Sequence, residues 1–187
     1  PNLWLADLNS GISQKITFEK KGLSNPKWSP DSNWISFTSS REGFIDDEDD
    51  EFDSGNNQIY LLPTKIGSPK KLSNHRTGVS NIVWSNDSKY LYFLASDPKP
   101  KEQILAERDG YDVFSFDNNR TQKHLWRIDL NGNEEKITDG DFSVLNYDLS
   151  DDNSKILIQK GPNPFLEFRS LSELWIKDMK SSKETQI

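Results

Sequence analysis

The sequence predicts an all-β fold, a partial β-propeller of about three and a half four-stranded antiparallel blades belonging to a larger propeller of about seven or eight. Three observations predict it. The stretch "WSPDSNWISF" (Trp28 to Phe37) returns 56 residues later as "WSNDSKYLYF" (Trp84 to Phe93), a spacing that suits one four-stranded unit. Aromatic residues make up 11% of a chain that is only 33% hydrophobic, the balance expected of thin, half-buried sheets on which flat rings pack across strands. No helical pattern interrupts the repeats, and no apolar run approaches the roughly 18 residues of a membrane-spanning helix.

The elements follow in order. "LWLADLNSGISQKIT" (Leu3 to Thr17) is an apolar-aromatic strand, a turn rich in Asn, Ser and Gly, and a polar strand, which makes half a blade over residues 1–18. "NPKWSPDSNWISF" (Asn25 to Phe37) is a second kind of hairpin. With "IYLLPTKIGSPKKLS" (Ile59 to Ser73) it completes a blade over about 25–73. "NIVWSNDSKYLYF" and "LWRIDLNGNEEKIT" repeat the pair over about 79–138, and "NYDLSDDNSKILI" with "LWIKDMKSSKETQI" repeats it over about 143–187. In the second kind of hairpin Asp31, Asp87 and Asp152 sit where a carboxylate accepts from turn amides, and Pro30 presets its own φ. Since each unit of a repeat architecture buries its faces against its neighbours, Trp4, Leu5 and Leu8 at one end and Leu174, Trp175 and Ile176 at the other are expected to be bare.

Charge and composition exclude several functions. Thirty acids against 23 bases give a net charge of −7, and seven of those acids lie in "DDEDDEFD" (Asp46 to Asp53), so the rest of the chain is neutral. No basic field exists for a nucleic acid. Without cysteine there is no disulfide or thiolate chemistry, and the compartment stays open between cytoplasm and periplasm. The acidic run fails as a calcium loop: counted from Asp49, position six is Ser54 and no Glu stands at position twelve. No metal and no cofactor are expected. A chain that opens on Pro without a leader reads as an excerpt of a longer product.

Loop lengths point to one face. The turns inside each hairpin are tight, whereas the links between paired hairpins are long after Thr38, Ala95 and Gln159. Alternate connections of an up-and-down sheet leave from opposite faces, so all three insertions share a face, and loops beyond connecting length tend to carry function. The candidate substrate- or partner-facing residues are therefore Arg41 and Glu42 in "SSREG", Arg108, Asp109, Tyr111, Phe114 and Arg120 around "ERDGYDVFSFDNNR", and Glu167, Phe168 and Arg169 in "GPNPFLEFRSLS". The aromatics of the second insertion predict an extra hairpin arm. His75 reads as a loop residue and His124 as a strand-edge residue. Asp112, Ser115 and His124 form a triad only on paper, since nearness along the chain is not geometry.

The strings "WSPDS", "FTSSREG", "NQIYLLP", "KKLSNHRTGVSNIVWS", "LWRIDLNGNEEKITDGDFSV" and "ELWIKDM" resemble the propeller repeats of prolyl oligopeptidase family serine peptidases, above all the acylaminoacyl-peptidase and dipeptidyl-aminopeptidase-like branch. The resemblance covers nearly the whole chain. Asn86 departs from it by replacing Pro, and "YDLSDD" replaces the third Trp-Ser-Pro-Asp. It implies a partner α/β-hydrolase domain with a Ser, Asp and His triad on a Gly-x-Ser-x-Gly elbow. No such elbow occurs in this sequence, so catalytic residues are expected outside it. The implied role is a non-catalytic propeller that gates peptide entry and adds substrate contacts, with the hydrolase domain and a peptide as partners and neither nucleic acid nor membrane. Relatives with dipeptidyl activity grip the substrate's amino end with paired glutamates. The adjacent pair here, Glu134 and Glu135, is expected in a tight turn on the opposite face, so that role is not transferred. The alternative from another class is a TolB-like propeller that binds a protein partner and has no peptidase domain.

Overall fold

A computed structural model describes residues 2–17, 22–40, 56–65, 67–99, 105, 121–165 and 170–187. They form fourteen strands: β1 (Trp4–Ala6), β2 (Ser13–Lys15), β3 (Leu23–Trp28), β4 (Trp34–Ser39), β5 (Gln58–Pro63), β6 (Lys70–Lys71), β7 (Val79–Trp84), β8 (Tyr90–Ser96), β9 (Lys123–Asp129), β10 (Glu134–Lys136), β11 (Ser143–Leu149), β12 (Lys155–Gly161), β13 (Glu173–Asp178) and β14 (Glu184–Gln186). Sheet I is the pair β1-β2. Sheets II (β3 to β6), III (β7 to β10) and IV (β11 to β14) are each four consecutive strands paired in sequence order, antiparallel throughout. This is the up-and-down blade pattern, and the series of sheets is not closed into a ring.

Apolar residues that alternate along each strand are buried between successive sheets. Leu3 and Ile16 of sheet I pack on Ile35, Phe37, Tyr60 and Leu62. Ile59 and Leu61 meet Trp84, Leu91, Phe93 and Ile128 between sheets II and III. Tyr92, Leu94 and Leu125 meet Val144, Tyr147, Ile156 and Ile158 between sheets III and IV. At the two ends Trp4, Leu8 and Leu174 are exposed, as expected. Trp175 is not bare: it is only half exposed because it turns inward onto the core between sheets III and IV. Leu5 and Ile176 are also half-buried.

The Ser-x-Asp turns close each inner hairpin by one mechanism. Ser29 Oγ donates to Asp31 at 2.6 Å and accepts from the Trp34 N–H at 2.9 Å, and the Asp31 carboxylate accepts from the Asn33 N–H at 3.1 Å. Ser85 with Asp87, and Ser150 with Asp152, repeat it. In each turn one residue takes a left-handed conformation: Ser32, Ser88 and Asn153, at φ 59°, 59° and 58°. The turns also bond sideways. The Asp31 N–H donates to Ser88 Oγ at 3.0 Å, while the Asn86 N–H donates to Asn153 Oδ1 at 2.9 Å and its side chain to the Asp151 carbonyl at 2.8 Å. Asn86 therefore does not weaken the turn pattern. Proline has no N–H, and the substitution gives sheet III two bonds to sheet IV.

The inner strands each carry a bulge. The β3–β4 register shifts between Ser24 and Lys27, β7–β8 between Ser80 and Val83, and β11–β12 between Val144 and Asn146. Asn25, Asn81 and Asn146 occupy the same repeat position there, and the first two have φ of 53° and 48°, a conformation asparagine tolerates better than most residues. Glu134 and Glu135 correct an expectation. They are the first two residues of β10, not turn residues, and Glu134 Oε2 lies 2.6 Å from His75 Nδ1.

Candidate functional site

Strand direction sorts the ends of the sheets. β8 ends and β9 begins at the long insertion 97–122, and the links into β7 and β11 arrive at the same end. At this insertion end, sheets III and IV border an open cavity of about 450 Å3 lined by Ser80, Asn81, Leu94, Lys123, Leu145, Asn146 and Gln159. The bulges place two of its residues: Asn81 Nδ2 donates to Asn146 Oδ1 at 3.2 Å, and the Tyr147 hydroxyl donates to the Asn81 carbonyl at 2.6 Å, so the pair is fixed from both strands. Lys123 opens β9, its N–H held by Ser143 Oγ at 3.0 Å. Gln159 Nε2 donates to Ser172 Oγ at 2.8 Å. One cation, three carboxamides, a hydroxyl and two leucines line the cavity, with no carboxylate among the described residues of its wall.

The residues singled out from loop length (Arg41, Glu42, Arg108, Asp109, Tyr111, Phe114, Arg120, Glu167, Phe168 and Arg169), together with Asp112 and Ser115, lie outside the described residues. The two histidines are described, and neither is a surface residue. His75 is 6% exposed and His124 is fully buried. Local polarity misled because "SNHRTG" reads as a loop, whereas this link inserts its imidazole between sheets, edge-on to Trp126 at 4.7 Å and Phe93 at 5.5 Å.

His124 has the outline of a catalytic relay. Its Nε2 lies 3.4 Å from Asp97, and its Nδ1 lies 3.3 Å from Thr138 Oγ1. The repeats show this outline to be structural. Thr17, Ser73 and Thr138 each lie two residues past the end of β2, β6 and β10, and each hydroxyl accepts an N–H from at or beside the start of the paired strand, that of Leu3, Ile59 and Leu125, at 2.8 to 2.9 Å. The side chain next to that hydroxyl is Asn2 in the first repeat, Gln58 in the second and His124 in the third. His124 occupies the place of an amide. Thr138 is 2% exposed, so its oxygen is closed to a substrate. Burial keeps the imidazole below its ordinary pKa, with Lys136 and Lys160 acting in the same sense and Asp97 and Asp139 opposing.

No family model matches the chain. An uncharacterized peptidase, YuxL, of Bacillus subtilis (strain 168) is 32% identical over 114 residues, which cover 59% of this chain and 16% of that protein. Over that stretch the chain is similar to a peptidase. Solved structures with similar folds include an acylaminoacyl peptidase of Pyrococcus horikoshii, with a TM-score of 0.61 and 18% identity over 97% of this chain and 27% of that one. Another comes from a study of two prolyl endopeptidases, with a TM-score of 0.63 and 12% identity over 99% of this chain and 25% of that one. At those identities the two structures speak for the fold, the partial β-propeller expected from the repeats. The chain spans about a sixth of its sequence relative and about a quarter of the two structural neighbours.

Proposed function

We propose that the chain is the non-catalytic propeller part of a serine peptidase of the prolyl oligopeptidase family, which limits access to a separate α/β-hydrolase domain and offers substrate contacts from its insertion end. The observation that carries this reading is the 32% identity to a peptidase over 114 residues. The repeat-wide role of Thr138 and its neighbours supports it, because the triad-like contact in this chain holds strands together and leaves no room for chemistry. A propeller set over a hydrolase acts by size: a flexible peptide passes and a folded protein does not. The residues expected to touch the peptide are those of the three insertions.

The test uses the full-length protein that carries this chain. A fluorophosphonate should label one serine outside residues 1–187, and the labelled protein should lose hydrolysis of short aminoacyl and acyl-peptide substrates while a folded protein of similar sequence is never cut. Absence of labelling together with absence of hydrolysis would refute the reading.

A further inference from the structure

We propose that the cavity between sheets III and IV binds the C-terminal carboxylate of a short hydrophilic peptide, with Lys123 as counter-charge and the Asn81–Asn146 pair reading the adjoining peptide group. The choice of a peptide rests on the peptidase reading above; the choice of an anion does not. Its volume of about 450 Å3 falls in the usual range of ligand pockets. Such pockets are mostly apolar, whereas five of the seven residues lining this one, all but Leu94 and Leu145, are polar or charged, so its ligand is hydrophilic.

Lys123 supplies the sign. Of the other lysines in these strands, Lys136 is paired with Asp97 and Asp139, and Lys160 and Lys177 with Glu184, while Lys155 opens β12 at the end away from the cavity. Lys123 has no ionic partner among the described residues, in a chain whose net charge is −7. Its repeat equivalents, Asn57 and Ser172, carry no charge, so the blade scaffold does not demand a cation at this position. The two asparagines supply the shape. Once one Asn81 Nδ2 hydrogen is given to Asn146 Oδ1, Asn81 keeps its oxygen and one N–H, and Asn146 keeps its NH2 and one oxygen lone pair. An acceptor beside a donor is what a peptide group's N–H and C=O require. Because the two side chains are already bonded to each other, part of the ordering cost is met before any ligand arrives.

The experiment is a ligand-observed NMR titration of the full-length protein, with any reactive serine blocked by a fluorophosphonate, using triglycine, triglycine amide, acetate and inorganic phosphate. Triglycine should bind, and its amide should bind about tenfold more weakly or worse, as the loss of one charge-assisted hydrogen bond implies. Lys123→Gln should weaken triglycine by a similar factor and leave the amide unchanged. Asn146→Ala, on an exposed side chain, should weaken both peptides and keeps the test intact if the lysine variant folds poorly. Equal binding of triglycine and its amide, no binding of either, or acetate and phosphate binding as well as triglycine would each overturn the proposal. Failure of serine labelling bears on the peptidase reading alone, because the titration does not depend on it.

Discussion

Replacing His124 by Gln separates a structural imidazole from a functional one. The second repeat shows what glutamine does there: Gln58 Oε1 accepts from Ser73 Oγ at 2.7 Å and from the His75 N–H at 3.0 Å, and its Nε2 donates to the His75 carbonyl at 2.9 Å. His124 instead makes a long contact to Thr138 and an edge-on ring contact with Phe142 at 5.5 Å. The variant loses an aromatic pair of about 0.5–1.5 kcal/mol and gains a hydrogen bond of about 0.5–1.5 kcal/mol, so at pH 7.5 it should lie within about 1 kcal/mol of wild type. His124→Ala leaves a buried void and should cost about 3 kcal/mol. The pH dependence carries the sharper signal. Because the folded-state pKa is lowered, the unfolded chain binds the extra proton, so the histidine's contribution is fully present above its unfolded pKa of about 6.5 and is lost as pH falls below it, with a limiting slope of about 1.4 kcal/mol per pH unit. Urea unfolding followed by tryptophan fluorescence at pH 7.5 and 5.5 should show wild type losing stability that His124→Gln retains. A glutamine variant as unstable as the alanine variant at pH 7.5, or one with an undiminished pH dependence, would refute the argument from the repeats.

The turn serines should differ by burial. Ser85, at 1% exposure, leaves the Tyr90 N–H without its partner and removes one of Asp87's hydrogen bonds when changed to Ala, which should cost about 2 kcal/mol, against about 1 kcal/mol for the half-buried Ser150; equal losses in urea would contradict the account. Asp152 should titrate at about 2 by NMR, held down first by Ser150 and then by the Ser154 amide, and Ser150→Ala should bring it back toward 3.8. Since that pKa is depressed, whatever stability the carboxylate gives is present above about 3.8 and fades as pH falls toward 2. Asn86→Pro restores the repeat's proline yet removes the bonds to Asn153 and Asp151, so it should destabilise by about 1 kcal/mol; a neutral or stabilising result in urea would mean that the sideways bonds contribute nothing.

Sequence reading reached the local features and stopped where distant strands meet. The hairpins and their Asp-capped turns were legible because Ser29, Asp31 and Asn33 act within a few residues of one another, and alternation names the buried face of each strand. The burial of His75 was not legible, because its partners Phe93, Trp126 and Glu134 lie 18 to 59 positions away on the next sheet. Trp175 was assigned to a bare face because its neighbours Leu174 and Ile176 are equally apolar, and only the register of β13 against β12, with Trp175 opposite the buried Ile158, settles which side each takes. The bulge asparagines do leave a signal in the sequence. All three inner-hairpin strings begin with Asn, at Asn25, Asn81 and Asn146, a recurrence that a plain strand does not need.

That recurrence suggests how function can be sought in a repeated sheet. A residue type that returns at the same position in every unit answers a demand of the unit itself, as the hydroxyls of Thr17, Ser73 and Thr138 do by bonding the next strand's N–H. A residue that departs from its equivalents must be accounted for by its neighbours or by a ligand. Asn86 departs from Pro30, and its bonds to sheet IV account for it. His124 departs from Asn2 and Gln58 yet keeps their contact with the hydroxyl, which places it with the scaffold. Lys123 departs from Asn57 and Ser172 by a whole charge, and no described residue neutralises it. By this criterion the position before the buried histidine, and not the histidine, is where the chain's own chemistry faces outward.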